Sequence, residues 1–185
     1  MRTGPVVIVL TSGCGERFAA SGGTGFKPQA RLDGCTALER TLVAVHASGL
    51  PWHLETATHP GLGDLIAAGV RATPGAAAWL ILPGDVPLIQ ASTLRHIAQA
   101  PMSLDVVVPV VKGWQRGHPV RFSARCGPEL MQLSGLKDGT AIMQGRDVTL
   151  WPVQDPGCMV DIDTLQGWQQ ARQMLAASKP LQQFG

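Results

Sequence analysis

Pro5-Val6-Val7-Ile8-Val9-Leu10 runs without interruption into Thr11-Ser12-Gly13-Cys14-Gly15-Glu16-Arg17. A continuous apolar, β-branched run halted by glycines reads as a strand buried on both faces. The turn that follows has the outline of a phosphate cradle. Glycine tolerates positive φ and carries no Cβ, so successive backbone N–H groups can converge on an anion. Arg17 adds a planar donor fork, and Lys27 follows as a point charge. A Gly-x-Gly turn alone occurs in many loops, so the rest of the chain has to decide.

The 185 residues are 45% hydrophobic and 15% charged, with a net charge of +2. Those values fit an ordered globular chain, expected as a single domain over 1–185. The Lys and Arg residues form no run, which argues against a nucleic-acid or membrane surface and suits a small anionic ligand. No stretch has the length and apolarity of a membrane span or a secretory leader. Cys14, Cys35, Cys126 and Cys158 are widely spaced and form no Cys-x-x-Cys pair. They are expected as free thiols in a cytoplasmic protein. The histidines show no metal-ligand spacing; apart from His118 they read as ordinary surface or core residues.

Strand and helix signals alternate outward from the first turn. Thr36 to Ser48 has helical spacing with Gly49 and Pro51 beyond its end. Trp52 to Thr56 suggests a short strand, and Gly61-Leu62-Gly63-Asp64 a loop with Asp64 capping a helix from Leu65 to Ala72. Ala76 to Leu82 is a second apolar run, halted by Pro83-Gly84-Asp85-Val86-Pro87. Ser92 is expected to cap a helix to Ala100. Asp105 to Val111 is a third apolar run, Gly117 to Ser123 and Val148 to Val153 are further strands, and Pro128 to Leu133 is a short helical piece. Thr164 to Ala177 closes the chain as a helix with Leu165, Trp168, Ala171 and Leu175 on one face.

Continuous apolar strands alternating with helices predict an α/β fold: a mostly parallel sheet with helices on both faces. Ligands of such sheets gather beyond the carboxyl ends of the strands. Both the Gly13-Gly15 turn and Gly84-Asp85 directly follow a predicted strand. Asp85 suits a Mg²⁺ site, since this ion takes one or two carboxylates plus substrate phosphates; it would equally serve as a turn residue capping the helix near Ser92. Asp161 and Asp163 point the same way in an extended segment, and Asp163 is either a second metal contact or part of a helix cap. In Arg116-Gly117-His118-Pro119-Val120 a glycine and a proline bracket an imidazole, as a substrate-facing donor or as a tight turn.

Taken in order, Leu10 to Phe18, Lys27, Gly61-Leu62-Gly63-Asp64, Leu82-Pro83-Gly84-Asp85-Val86-Pro87-Leu88, Arg116 to Val120 and Asp161-Ile162-Asp163-Thr164 resemble the molybdenum cofactor nucleotidyltransferase family, especially its cytidylyltransferase branch. The resemblance covers nearly the whole chain. It implies a Rossmann-like three-layer fold with a mixed sheet. It also implies transfer of CMP from CTP to the terminal phosphate of molybdopterin, with release of pyrophosphate. Leu10, Thr11, Ser12, Gly13, Gly15, Arg17, Lys27, Gly61, Gly63, Asp64 and Gly84 would hold the nucleotide. Arg17, Lys27 and Asp85 would carry catalysis, Asp85 and Asp163 would hold Mg²⁺, and Gly117, His118 and Pro119 would face the pterin substrate. A recipient molybdoenzyme or its chaperone is an implied partner.

Several positions depart from the family pattern. Thr11 and Ser12 replace small residues in the first loop, and Cys14 stands where a basic or polar residue is usual. The region between Thr56 and Gly61 is short by a strand and its connection, and Gly135-Leu136-Lys137-Asp138-Gly139-Thr140 replaces a Gly-Asp-x-Gly-Ala stretch. The alternatives are a GTP-using or sugar- or polyol-phosphate nucleotidyltransferase, or a catalytically impaired cofactor- or nucleotide-binding module in molybdoenzyme maturation.

Overall fold

A computed structural model describes residues 4–11, 31–56, 58–112 and 115–178. Its strands are β1 (Val6–Leu10), β2 (Arg31–Leu32), β3 (Cys35–Thr36), β4 (Trp52–Glu55), β5 (Ala78–Pro83), β6 (Val106–Val111), β7 (Gln115–Arg116), β8 (Val120–Ser123) and β9 (Val148–Pro152). The α-helices are α1 (Ala37–Ser48), α2 (Leu62–Ala72), α3 (Ala91–Ala98), α4 (Gly127–Met131), α5 (Thr140–Met143) and α6 (Leu165–Ser178). Short 3₁₀ turns cover Ala124–Cys126 and Pro156–Met159.

The run that opens the chain forms the middle of the sheet. β1 pairs in parallel with β4 on one side and β5 on the other. Its residues divide by parity, as a strand buried on both faces requires. Val6, Ile8 and Leu10 join Leu65, Ile66 and Val70 of α2 in one core cluster, while Val7 and Val9 join Val45 of α1 and Leu94 and Ile97 of α3 in the other. Burying each such side chain stabilises the fold by about 1.5–3 kcal/mol. A third cluster sets Leu32 against Val160, Ile162 and Ala171, bringing α6 under the β2–β3 hairpin.

The predicted α/β architecture is present, with its parallel sheet interrupted once. β8 lies antiparallel between β5 and β6, and β9 returns parallel to β6. The strand expected over Gly117 to Ser123 is split. Val107 pairs with Arg121 and Val110 with Arg116, so three steps along β6 face five along its partner. The two extra residues leave the ladder at Gly117-His118-Pro119, where the His118–Pro119 peptide is cis.

Helix starts supply the other corrections. α2 begins at Leu62 with Gly61 as its N-cap, not at Leu65. Asp64 does not cap it, because its Oδ2 accepts from the Gly135 N–H at 2.8 Å. α3 begins at Ala91 rather than beyond Ser92. Its acceptor comes from elsewhere in the chain: Asp155 Oδ2 takes the Gln90 N–H at 2.9 Å and the Thr93 hydroxyl at 2.7 Å. α1 ends as predicted at a left-handed Gly49, but Thr36, expected inside the helix, is its N-cap and forms a capping box with Glu39. Of the face expected on α6, Ala171 is buried, while Trp168 and Leu175 pack half-exposed against the third cluster.

Candidate active site

The chain leaves β1 toward β4 on one side and returns as β5 on the other. That reversal marks the region beyond the carboxyl ends of β1 and β5 as the place where open α/β sheets take ligands. Leu10 and Thr11 end β1, and Gly84 and Asp85 follow β5. Gly84 extends the pairing, its N–H donating to the Leu10 carbonyl at 2.8 Å. A Cβ on Gly84 would stand 2.9 Å from Leu38 Cδ1 and 3.1 Å from the Leu10 oxygen, so a side chain there would displace Leu38 and press on the end of β1. The Thr41 hydroxyl, fully buried on α1, shares its proton between the Ala37 carbonyl at 3.0 Å and the Gly84 carbonyl at 3.2 Å, and so sets α1 against the turn.

Asp85, half-buried, emerges from this turn. Its carbonyl accepts the Ile162 N–H at 3.2 Å, which draws the Asp161–Asp163 segment alongside. The bulge between β7 and β8 comes from the other side. His118 N–H donates to the Cys158 carbonyl at 2.8 Å, and a Cβ on Gly117 would lie 2.5 Å from Cys158 Sγ. Three separate stretches singled out in the sequence thus meet: Gly84-Asp85, Gly117-His118-Pro119 and Asp161-Ile162-Asp163.

Their electrostatics are coupled. Burial is the largest influence on His118 and pushes its pKa down; the negative charges of Asp161 and then Asp85 pull it back part of the way. The net shift is downward, favouring the neutral imidazole. His118 Nδ1 is buried with no hydrogen-bond partner, which in a native interior marks a place awaiting a ligand or water. Asp161, given no metal role in the sequence reading, is thus the carboxylate with the larger effect on this imidazole. Alternation in Asp161-Ile162-Asp163, with Ile162 buried between two half-buried carboxylates, was the available signal.

The helix-cap reading of Asp163 has a competitor in the structure. The Thr164 hydroxyl accepts the Gly167 N–H at 3.1 Å, as an N-cap does for α6. Among the described residues, no three His, Cys, Asp or Glu side chains converge to hold a metal ion. Asp85 is therefore the kind of donor that binds a hard cation together with ligand phosphates, not a member of an all-protein cage.

Ser12, Gly13, Gly15, Arg17 and Lys27 lie outside the described residues, as does Cys14. Thr11 is described, and its N–H and hydroxyl both donate to the Glu55 carbonyl, at 3.2 and 2.9 Å. This ties the start of the first loop to the end of β4. The Glu55 carboxylate lies between two imidazoles, 3.3 Å from His53 Nε2 and 3.4 Å from His59 Nε2. Sequence reading missed this trio, although a carboxylate at the end of a parallel strand was the very feature that singled out Asp85. Gly61 and Gly63 press on another loop: added Cβ atoms would lie 2.1 Å from the Gly135 oxygen and 2.4 Å from the Lys137 oxygen. With the Asp64–Gly135 bond, these contacts bind the start of α2 to residues 134–137.

Comparison with known proteins bears on the fold and the family. The chain is 42% identical over 69 residues to the bifunctional protein GlmU of Stenotrophomonas maltophilia, a match covering 36% of this chain and 15% of that protein. The structure of Rv0371c from Mycobacterium tuberculosis H37Rv superposes with a TM-score of 0.74 at 19% identity, covering 94% of this chain and 99% of that one. Its manganese complex superposes with a TM-score of 0.67 at 20% identity, covering 92% and 99%. Molybdopterin-guanine dinucleotide biosynthesis protein A from Archaeoglobus fulgidus gives a TM-score of 0.66 at 15% identity, covering 94% and 99%. These superpositions establish a shared nucleotidyltransferase-like fold. The MobA-like NTP transferase domain matches residues 43–150, more than half of the chain, and the chain therefore belongs to the MobA-like family of nucleotidyltransferases.

Proposed function

We propose that this protein transfers CMP from CTP to the terminal phosphate of a molybdopterin-type cofactor, working as one NTP-transferase-like domain over residues 1–185. The observation that carries the reading is the meeting of Asp85, His118 and the Asp161–Asp163 segment beyond the ends of β1 and β5. The choice of CTP and of the pterin rests on the ordered set of motifs in the sequence. In this reading Gly13, Gly15, Arg17 and Lys27 bind the triphosphate, with Leu10, Thr11, Ser12, Gly61, Gly63, Asp64 and Gly84 around the nucleotide. Gly117, His118 and Pro119 face the acceptor.

An oxygen of the acceptor's terminal phosphate attacks the α-phosphorus of CTP. The new P–O bond forms as the bond to the β-phosphate oxygen breaks, and pyrophosphate departs with that electron pair. No protein nucleophile is required; the residues position the reactants and offset developing charge. Asp85, with Asp163 as a second carboxylate, would hold Mg²⁺, which supplies charge neutralisation on the phosphates. Arg17 and Lys27 offset the charge gained by the leaving group. His118, kept neutral by burial, offers a hydrogen bond without adding a competing cation to the site. The free thiols of Cys35, Cys126 and Cys158 suit a cytoplasmic protein, and no helix among the described residues is long and apolar enough to cross a membrane. A recipient molybdoenzyme or its chaperone would take the product.

A second reading, with GTP in place of CTP, is favoured by the likeness to the Archaeoglobus fulgidus protein whose name carries guanine. A thermal-shift panel of CTP, GTP, ATP and UTP with Mg²⁺, repeated on Asp85→Ala, separates the two. Selective stabilisation by CTP, lost in the variant, is the expected result. Selective stabilisation by GTP would replace the CTP reading, and no shift with any nucleotide would point to a binding module that has lost catalysis.

A further inference from the structure

Behind the catalytic turn lies a cavity of about 690 Å³ that the reaction does not use. One wall is the outer face of α1, with Arg40, Val43 and Ala47; the opposite wall is Pro87 to Ala91, and the ends of α6 and of the Pro156–Met159 turn close it. This volume falls within the range of small-molecule sites, roughly 300–1,000 Å³. Its lining is mostly apolar, and Val43 is 68% exposed there, an unusual cost for a residue with no polar atom in its side chain.

The polar groups around it are unequal. Asp155 also lines the cavity, but its two oxygens are occupied by the Gln90 and Gly157 N–H groups and the Thr93 hydroxyl. Arg40 is different. Its Nε is buried without any hydrogen-bond partner, and its one hydrogen bond among the described residues reaches the Leu32 carbonyl at 3.5 Å, a weak contact. No carboxylate among the described residues pairs with it. A half-buried guanidinium with unused donors, set in an apolar hollow, is matched by an anionic head on an apolar body.

We propose that this cavity is a second ligand site, which takes a small amphiphile with one carboxylate or sulfonate head, held by Arg40, and an apolar body laid along Val43, Leu88 and Met174. The site is separate from the region beyond β1 and β5, yet adjoins it. Pro87 lies two residues after Asp85, and Gly157 precedes Cys158, whose carbonyl holds His118.

The test uses the full chain and 8-anilinonaphthalene-1-sulfonate as the fluorescent probe. Saturable binding at one site is expected, with displacement by decanoate and at least tenfold weaker displacement by decan-1-ol, which lacks the charge. Arg40→Gln should weaken probe and decanoate about tenfold or more, as loss of a charge-assisted hydrogen bond does. Ala47→Trp, at an exposed position of the lining, should block both while leaving the melting temperature and the circular dichroism spectrum unchanged. Equal displacement by the acid and the alcohol, binding untouched by Arg40→Gln, or probe fluorescence that never saturates would each overturn the site.

Discussion

The Ile162 N–H donates to the Asp85 carbonyl at 3.2 Å, so a main-chain hydrogen bond ties the segment carrying Asp161 and Asp163 to the turn after β5. The tie runs through the Asp85 main chain and not through its carboxylate. Substituting its side chain leaves the tie intact. Asp85→Asn keeps that main-chain bond and is expected to lose metal-dependent pyrophosphate release by at least about 10²–10³, as removal of one preorganised charge contact does in comparable sites. Pyrophosphate release assayed with CTP, Mg²⁺ and molybdopterin checks the rate, and a thermal melt without ligands checks the fold. Full activity in the variant would exclude Asp85 from the reaction.

Asp155 shows the opposite case, a carboxylate whose whole function is architectural. It is 3% exposed and accepts from Gln90 N–H, the Thr93 hydroxyl and Gly157 N–H at 2.9, 2.7 and 3.0 Å. Asp155→Ala strands those donors inside the fold. Each buried unsatisfied donor costs about 1–3 kcal/mol, and partial rehydration brings the expected total to roughly 2–4 kcal/mol. Asp155→Asn keeps one acceptor oxygen and should lose about half as much. Urea denaturation followed by circular dichroism measures both, and equal stability of the alanine variant would show the bonds to be incidental.

How much of this was legible beforehand follows from where each signal is stored. The layers and strand positions were readable because Val6 to Leu10, Ala78 to Leu82 and Val106 to Val110 are buried on both faces, and only continuous apolar runs satisfy such positions. The end of α1 was readable because Gly49 acts within its own turn, whereas Thr36, taken as the first helical residue, is the N-cap. Asp64 and Ser92 were misjudged as caps for the complementary reason. The partners that matter, Gly135 for Asp64 and Asp155 for the start of α3, lie far away in sequence, and local rules cannot see them. The extrusion of His118 from its strand is likewise a property of two neighbouring ladders, since β8 must pair with β5 and β6 at once. Motif order singled out the stretches that meet around Asp85, Asp161 among them, whereas Glu55 and Arg40 acquire interest only from what folding sets beside them.

His118 gives the protein a calculable pH response. Burial lowers its pKa, with the Asp161 and Asp85 charges opposing, so the folded state binds a proton less readily than the unfolded chain. The unfolded value is about 6.5. Between that value and the lower folded one, the unfolded state carries more protons, and stability rises with pH. The contribution of neutral His118 is therefore full above the unfolded pKa and lost as pH falls below it. One proton limits the slope to about 1.4 kcal/mol per pH unit. Urea midpoints measured from pH 7.5 to 5 should fall more steeply for the parent than for His118→Gln. Parallel curves would mean that His118 titrates normally.

Arg121 is the most unusual buried group, a guanidinium with no exposed surface on the middle of β8. It has no carboxylate partner among the described residues. Instead Nη1 donates to the Ala100 carbonyl at 3.1 Å, and Nη2 to the Pro101 and Leu104 carbonyls at 2.9 and 3.3 Å. These oxygens follow the end of α3, where the helix dipole favours a positive charge. Burial pushes the Arg121 pKa down, yet guanidinium starts so high that it remains charged at any working pH. Two effects of Arg121→Met compete. Removing an ion held without a counter-charge relieves a desolvation cost, but three carbonyls lose their donors, at about 1–3 kcal/mol for each one that stays dry. Pro101, Met102 and Ser103 are exposed, so water reaches part of this turn and softens the second effect. The carbonyl loss still dominates, and a net destabilisation of about 2–4 kcal/mol is expected. For a chain of this size that lowers the melting temperature by about 2–4 °C per kcal/mol. Arg121→Lys, with one ammonium to serve carbonyls spread over five residues, should fall between the two. Urea denaturation with an unchanged slope checks the order, and a methionine variant as stable as the parent would show that the buried cation is tolerated and not required.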